Sequence, residues 1–227
     1  TNDITNDPEV GNQWGLKPAP GLDMSNAWAI ATGTAEVVVA VIDTGIQLDH
    51  PDLASNIWVN PGEIPNNNID DDDNGYIDDV HGWDFWNEDN DPDDDGDDHY
   101  SGHGTHIAGI IGAVINNGIG VSGIAPNVRL MALKVHSADG RSYSNLIYKA
   151  LEYAVSNGAQ VSNNSYGGYQ PSPQMENLID AAARVGHVFV AGAGNEETNT
   201  DITPSYPASY KNNSIISVAA GDQSGQM

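Results

Sequence analysis

The sequence predicts an α/β fold: a doubly wound, mostly parallel sheet with helices on both faces. Three observations carry this. Strand-like and helix-like stretches alternate from Glu36 to Ala219. The run Glu36–Asp43, EVVVAVID, stays apolar until its closing acid, as in a central parallel strand delivering a carboxylate at its C-terminal edge. Gly102–Asn117, GHGTHIAGIIGAVINN, joins a glycine-flanked start to an apolar body with no polar face, which predicts a helix buried on all sides. Gly104, Gly109 and Gly112 would each cost about 1 kcal/mol in an exposed helix; here they fit close approach of another backbone.

In order along the chain, residues 1–33 form a polar arm with a short helix over Met24–Ile30. The strand Glu36–Asp43 follows, then TG and the turn HPDL. Residues 57–100 read as an acidic loop region. After the buried helix, NNGIGVSGIAP is a glycine-rich bend, and Val128–Val135 is the next strand. Ser144 caps a helix that runs to about Asn157, where Gly158 stops it. Val161–Ser165, His187–Ala191 and Ser214–Ala219 are strands, and Gln174–Val185 is a helix.

Composition narrows the function. The 227 residues suit one domain of the larger kind, and the formal net charge is -25. Lys17 is the sole basic residue before Arg129, so a basic face for nucleic acid is absent. Without cysteine there is no disulfide, thiolate metal site or thiol nucleophile. No apolar run reaches the roughly 18 residues of a membrane span. Thr1 stands where an initiator Met or signal peptide would, so the chain reads as a processed or excised piece.

In such sheets function gathers where C-terminal strand edges meet helix starts. Asp43 ends the first strand, His103 opens the central helix, and GAGNE, with Asn195, follows a later strand. An acid that orients a histidine, a histidine that moves a proton and an amide that steadies an oxyanion are three parts of a hydrolytic site. The positive end of the helix favours a neutral His103, fit to accept a proton. His106 would make an HxxH metal pair with it, but the HExxH glutamate of zinc helices is missing, so buried hydrogen bonding is its expected role.

VAVIDTG around Asp43, GHGTHIAG around His103 and VAGAGNE around Asn195 resemble the subtilisin family of serine proteases in order and spacing. NNGIGVSGIAP, RLMALKV and SNNSYGG extend the likeness, and NDPEVGNQWGL with NAW resembles its thermitase-like members. The resemblance implies a peptidase hydrolysing polypeptides, with Asp43 orienting the histidine, His103 as general base and Asn195 as oxyanion donor. It implies that Ser165, Tyr166 and Gly167 pair with substrate backbone as an added strand. Gly192, Ala193 and Gly194 leave room for a primary side chain, and Glu196 stands where a cationic one would reach. The family's GTSMA-type serine motif does not occur, which leaves a partial catalytic domain over residues 1–227, incomplete at its C-terminus and expected to be inactive alone. Expected partners are that missing C-terminal part and an inhibitory pro-segment, and the expected setting is extracellular. The alternative class is a non-catalytic, calcium-dependent binding or scaffold protein.

The acidic region points to calcium. Of the 32 acids, 15 lie between Asp70 and Asp98 with no Lys or Arg among them. Asp70, Asp72 and Asn74 before Gly75 fit the opening of a calcium loop, with a carbonyl from Tyr76 and closure by Asp78 or Asp79. Asp84, Asn87, Asp89, Asp91 and Asp93 resemble a second calcium loop of thermitase-like members, and the acids from Asp93 to Asp98 read as solvated charge. The resemblance alone implies a third site, from Asp7, Asp52, the carbonyls of Ile115, Ile119 and Val121, and the amide of Asn117. The expectation is two to three calcium ions.

Overall fold

The structure, a computed structural model, describes residues 4–94, 102–137 and 139–226. The arm carries α1 (Met24–Trp28), which packs with Val10 and Leu16 in a small apolar cluster of its own. Six parallel strands make one sheet: β1 (Val38–Asp43), β2 (Gly82–Asp84), β3 (Arg129–Lys134), β4 (Val161–Asn164), β5 (Val188–Gly192) and β6 (Ile215–Val218), in the order β2-β3-β1-β4-β5-β6. β2 lies inside the stretch that reads as loop. Three residues, GWD, are too few for a periodic signal, and their pairing with Ala132–Lys134 of β3 makes them a strand.

The continuous apolar run of β1 serves two cores. Val38, Ala40 and Ile42 face α3 (Ser144–Ser156) and α4 (Pro173–Arg184), together with Leu133, Leu151 and Phe189. Val39 and Val41 face α2 (His103–Gly112), with Leu130 and Ala108. Helices therefore cover both faces, as the alternation predicts. The α2 face is covered unevenly, though. The register aligns Val41, Asn163, Val190 and Ile216 in one row. That row runs from 0% exposure at Val41 beneath α2 to 53% at Ile216 on the edge strand.

α2 departs from the sequence reading in length and in burial. It stops at Gly112, because Ala113 turns extended and pairs with Gly123 while the N–H of Val114 goes to the carbonyl of Asp52. Other backbones take the hydrogen bonds that further helical turns would need. Nor is it enclosed all round. Ile110 is 41% exposed, and both it and the exposed His106 face an apolar groove lined by Trp14, Leu22, Leu53 and Ile124. Hydrophobic pattern reports which residues avoid water and cannot report what covers them. No described helix is long and apolar enough to cross a membrane.

Candidate active site

Asp43 is the last residue of β1 and is 2% exposed. Its Oδ1 lies 2.6 Å from Nδ1 of His103, the first residue of α2. The same oxygen accepts the N–H of Thr44, and the Thr44 hydroxyl accepts the N–H of Gly104, which ties strand end to helix start. Only glycine fits at 104, since a Cβ there would stand 2.1 Å from the carbonyl oxygen of Gly45. The close approach expected from the sequence is thus between these two backbones.

The helix end does not dominate the titration of His103. The hydrogen bond that His103 donates to Asp43 raises its pKa above the ordinary histidine value, and burial offsets this only in part. A full carboxylate charge at hydrogen-bond distance outweighs the half charge of a helix terminus. The α2 terminus has its own anion besides. Asp94 accepts the N–H groups of Gly102 and Thr105 and the Thr105 hydroxyl. Asp94 is therefore a helix cap instead of solvated charge, while residues 95–98 of that run lie outside the described residues. His106 is exposed, against the expectation of buried hydrogen bonding: it lies on the groove side of α2.

β4 and β5 complete the site at the same sheet edge. Beyond β4, Ser165, Tyr166 and Gly167 run along a cavity of about 450 Å³ that His103 also lines. Beyond β5, Gly192, Ala193, Gly194, Asn195 and Glu196 form its far wall. The structure thus brings together all nine residues singled out for catalysis and substrate binding. Gly194 has φ +110°, which suits glycine, and Oε2 of Glu196 accepts the N–H of Asn195 at 2.9 Å. Asn163, whose amide donates to the Ser165 hydroxyl, also lines the cavity and carried no sequence signal.

The acidic region divides in two. In the first loop, oxygens of Glu63, Asp72 and Asp79 all lie within 4.8 Å of one another. Asn60 and Asn74 each donate their amides to both aspartates, and the Tyr153 hydroxyl donates to Asp79. Asp79 is fully buried, and burial raises its pKa above the usual carboxylate range. Clustered hard oxygens of this kind suit calcium. Glu63 and Asn60 escaped the sequence reading, because nothing in their spacing links them to the DDDDNG run. Asp70 accepts the N–H groups of Asn74 and Gly75, Asp78 those of Asn67 and Asn68, and the Tyr76 ring packs on Trp83 and Tyr153.

The second loop is arranged differently. Asp84 is fully buried, and Nζ of Lys134 lies 3.3 Å from its Oδ2. Asn87 donates its amide to Asp84, whereas Asp89 accepts the N–H of Asp91 and Asp93 offers its carbonyl to Lys134. The arm meets the core at Asp7. Asp7, 2% exposed, accepts N–H groups of Asn116, Asn117 and Gly118 and the Ser122 hydroxyl. Asp52 accepts the Asn117 amide and the N–H of Val121, and Asn117 in turn accepts the N–H of Ile119, in the loop that Ile115 opens.

Comparison with known proteins agrees with this geometry. Residues 34–227 match the subtilase family. The chain is 34% identical over 197 residues to thermitase of Thermoactinomyces vulgaris, covering 87% of this chain and 59% of thermitase. It is 36% identical over 193 residues to subtilisin E of Bacillus subtilis, covering 85% of this chain and 42% of that protein. A protease structure from Pseudoalteromonas arctica superposes with a TM-score of 0.74 at 31% identity, covering 97% of this chain and 67% of that one. The chain therefore spans less than two thirds of these curated relatives.

Proposed function

The chain belongs to the subtilase family, and from that premise we propose that it is the larger part of a serine endopeptidase catalytic domain. The observation that carries this is the Asp43–His103 hydrogen bond of 2.6 Å opening onto the cavity that Asn195 walls. With Nδ1 of His103 engaged by Asp43, Nε2 is the nitrogen that takes a proton from the nucleophile and returns it to the leaving amine. Asp43 stabilises the imidazolium formed in between. Asn195 supplies a hydrogen bond to the oxyanion of the tetrahedral intermediate. The raised pKa of His103 means that base catalysis grows as pH climbs through that value.

The nucleophile belongs, in this proposal, to a segment of the same domain outside residues 1–227. That the chain covers 67% of the matched protease structure supports it, as does the α2-side row left bare at Ile216. Substrates are polypeptides laid along Ser165–Gly167, with a bias to basic side chains near Glu196 and a long-range pull from the net charge of -25. An inhibitory pro-segment would lie in the same cleft. Calcium at Glu63, Asp72 and Asp79, and where Asp7 and Asp52 join arm to core, would suit an extracellular protein without disulfides.

The test supplies the 227-residue chain with a C-terminal fragment from a relative and follows casein hydrolysis and labelling by a serine-directed fluorophosphonate. The chain alone should be almost inactive, since loss of the nucleophile from such a triad costs about 10⁶ in kcat. Activity should appear on complementation and vanish with His103→Ala, while His106→Ala leaves most of it. Labelling and turnover by the chain alone would place the nucleophile among its own serines and overturn this assignment.

A further inference from the structure

We infer that Lys134 occupies the cation position of the 84–93 loop, so that an internal ammonium closes this loop and no calcium binds there. The sequence shows a cation-free acidic run. The sheet supplies what the run lacks. In the parallel register of β2 and β3, Asp84 is the direct partner of Lys134, so the last residue of each short strand reaches the same face. Both are buried, at 0% and 4% exposure, where a charge persists only beside an opposite one.

The donor set is one a calcium ion would need, already in use. Lys134 Nζ lies 3.3 Å from Oδ2 of Asp84 and donates to the carbonyl of Asp93 at 3.0 Å, bridging the two ends of the loop. The rest of Asp84 is taken by hydrogen-bond donors. Its Oδ1 accepts the N–H groups of Trp86 and Asn87, at 2.7 and 2.9 Å, and its Oδ2 accepts the Asn87 amide at 2.8 Å. Asp89 exchanges main-chain hydrogen bonds with Asp84 and folds its carboxylate back to the N–H of Asp91. A calcium ion on Asp84 would stand about 2.3–2.6 Å from an oxygen that the ammonium already holds. Like charges at that range, out of water, exclude one another. The first loop differs: the partners of Asp72 and Asp79 among the described residues are amides, a phenol and main-chain N–H, all neutral. The inference concerns the second loop alone and holds whether or not the first binds calcium.

Calorimetric titration of the full 227-residue chain with calcium chloride tests it. The double variant Asp89→Asn, Asp91→Asn should bind the same number of calcium ions as the parent; one equivalent fewer would overturn the inference. Lys134→Met should bind one equivalent more, because Asp84 and the Asp93 carbonyl become available to an external cation. An unchanged stoichiometry in folded Lys134→Met would also overturn it. If that variant does not fold, Asp89→Asn, Asp91→Asn still decides.

Discussion

Two acidic loops sit side by side and handle buried carboxylates in opposite ways. In the first, Glu63, Asp72 and Asp79 converge on one another, and the donors to the two aspartates among the described residues are neutral. In the second, Asp84 meets an ammonium from the neighbouring strand. Burial raises the pKa of both Asp79 and Asp84; hydrogen bonds from Tyr153, Asn74 and Asn60 offset this in part at Asp79, and the Asn87 hydrogen bond and then the Lys134 charge do so at Asp84. Local composition is alike, so the difference teaches that an acidic run does not announce its counter-ion. On the proposals made above, calcium would complete one loop and the fold itself the other, according to which side chains the sheet register brings alongside.

The largest expected effect comes from breaking the internal pair. Asp84→Ala takes a buried carboxylate away from the Lys134 ammonium and should cost about 3–5 kcal/mol, read by urea unfolding in EDTA. A loss below about 1 kcal/mol would put Asp84 in the class of exposed pairs and remove the contrast between the loops.

The next effect belongs to the first loop and should depend on the ion. Calcium at a hundredfold excess over Kd should stabilise the parent by about 2.7 kcal/mol for each site filled. Asp79→Asn should lose one such increment in calcium and show no comparable loss in EDTA. Thermal melts in EDTA, magnesium and calcium measure this. Magnesium should do less, because it demands tighter octahedral geometry and keeps its waters. Equal midpoints in all three buffers would leave the first loop as self-satisfied hydrogen bonding.

A third buried acid sharpens the comparison, because its partner titrates. Asp43 holds His103, and their hydrogen bond raises the histidine pKa. Folding therefore favours the protonated ring. The contribution is fully present below the unfolded value near 6.5, and it fades as pH rises through the higher folded value. Proton NMR of the His103 ring should show its midpoint falling in Asp43→Asn. An unmoved midpoint would mean that the carboxylate does not set it.

The smallest effect lies on the rim of the second loop. Lys149 stands 3.9 Å from Glu88, with both side chains more than half exposed. Glu88→Ala should change stability by less than about 1 kcal/mol and fade further with salt. A loss as large as that of Asp84→Ala would mean that burial is not what separates the two lysines.

The sequence by itself determined the strand β1, the start of α2 and the placing of Asp43, His103 and Asn195 at one sheet edge. Each rests on local information: an apolar run, a glycine-marked helix start, and the rule that parallel strands deliver their C-terminal residues to one side. The tertiary structure alone decided how the charges are met. Lys134 lies 50 residues from Asp84 in the chain, yet β2–β3 pairing makes them partners. Glu63 joins Asp72 and Asp79 because the loop folds back upon itself. The same holds for the end of α2, where Gly123 and Asp52 claim the backbone of residues 113 and 114. One signal for Lys134 was present, a lone lysine in the apolar strand RLMALKV, which burial obliges to find a carboxylate. Which carboxylate it finds depends on strand order, since hydrophobic periodicity encodes the face a residue takes and carries no record of its neighbour across the sheet.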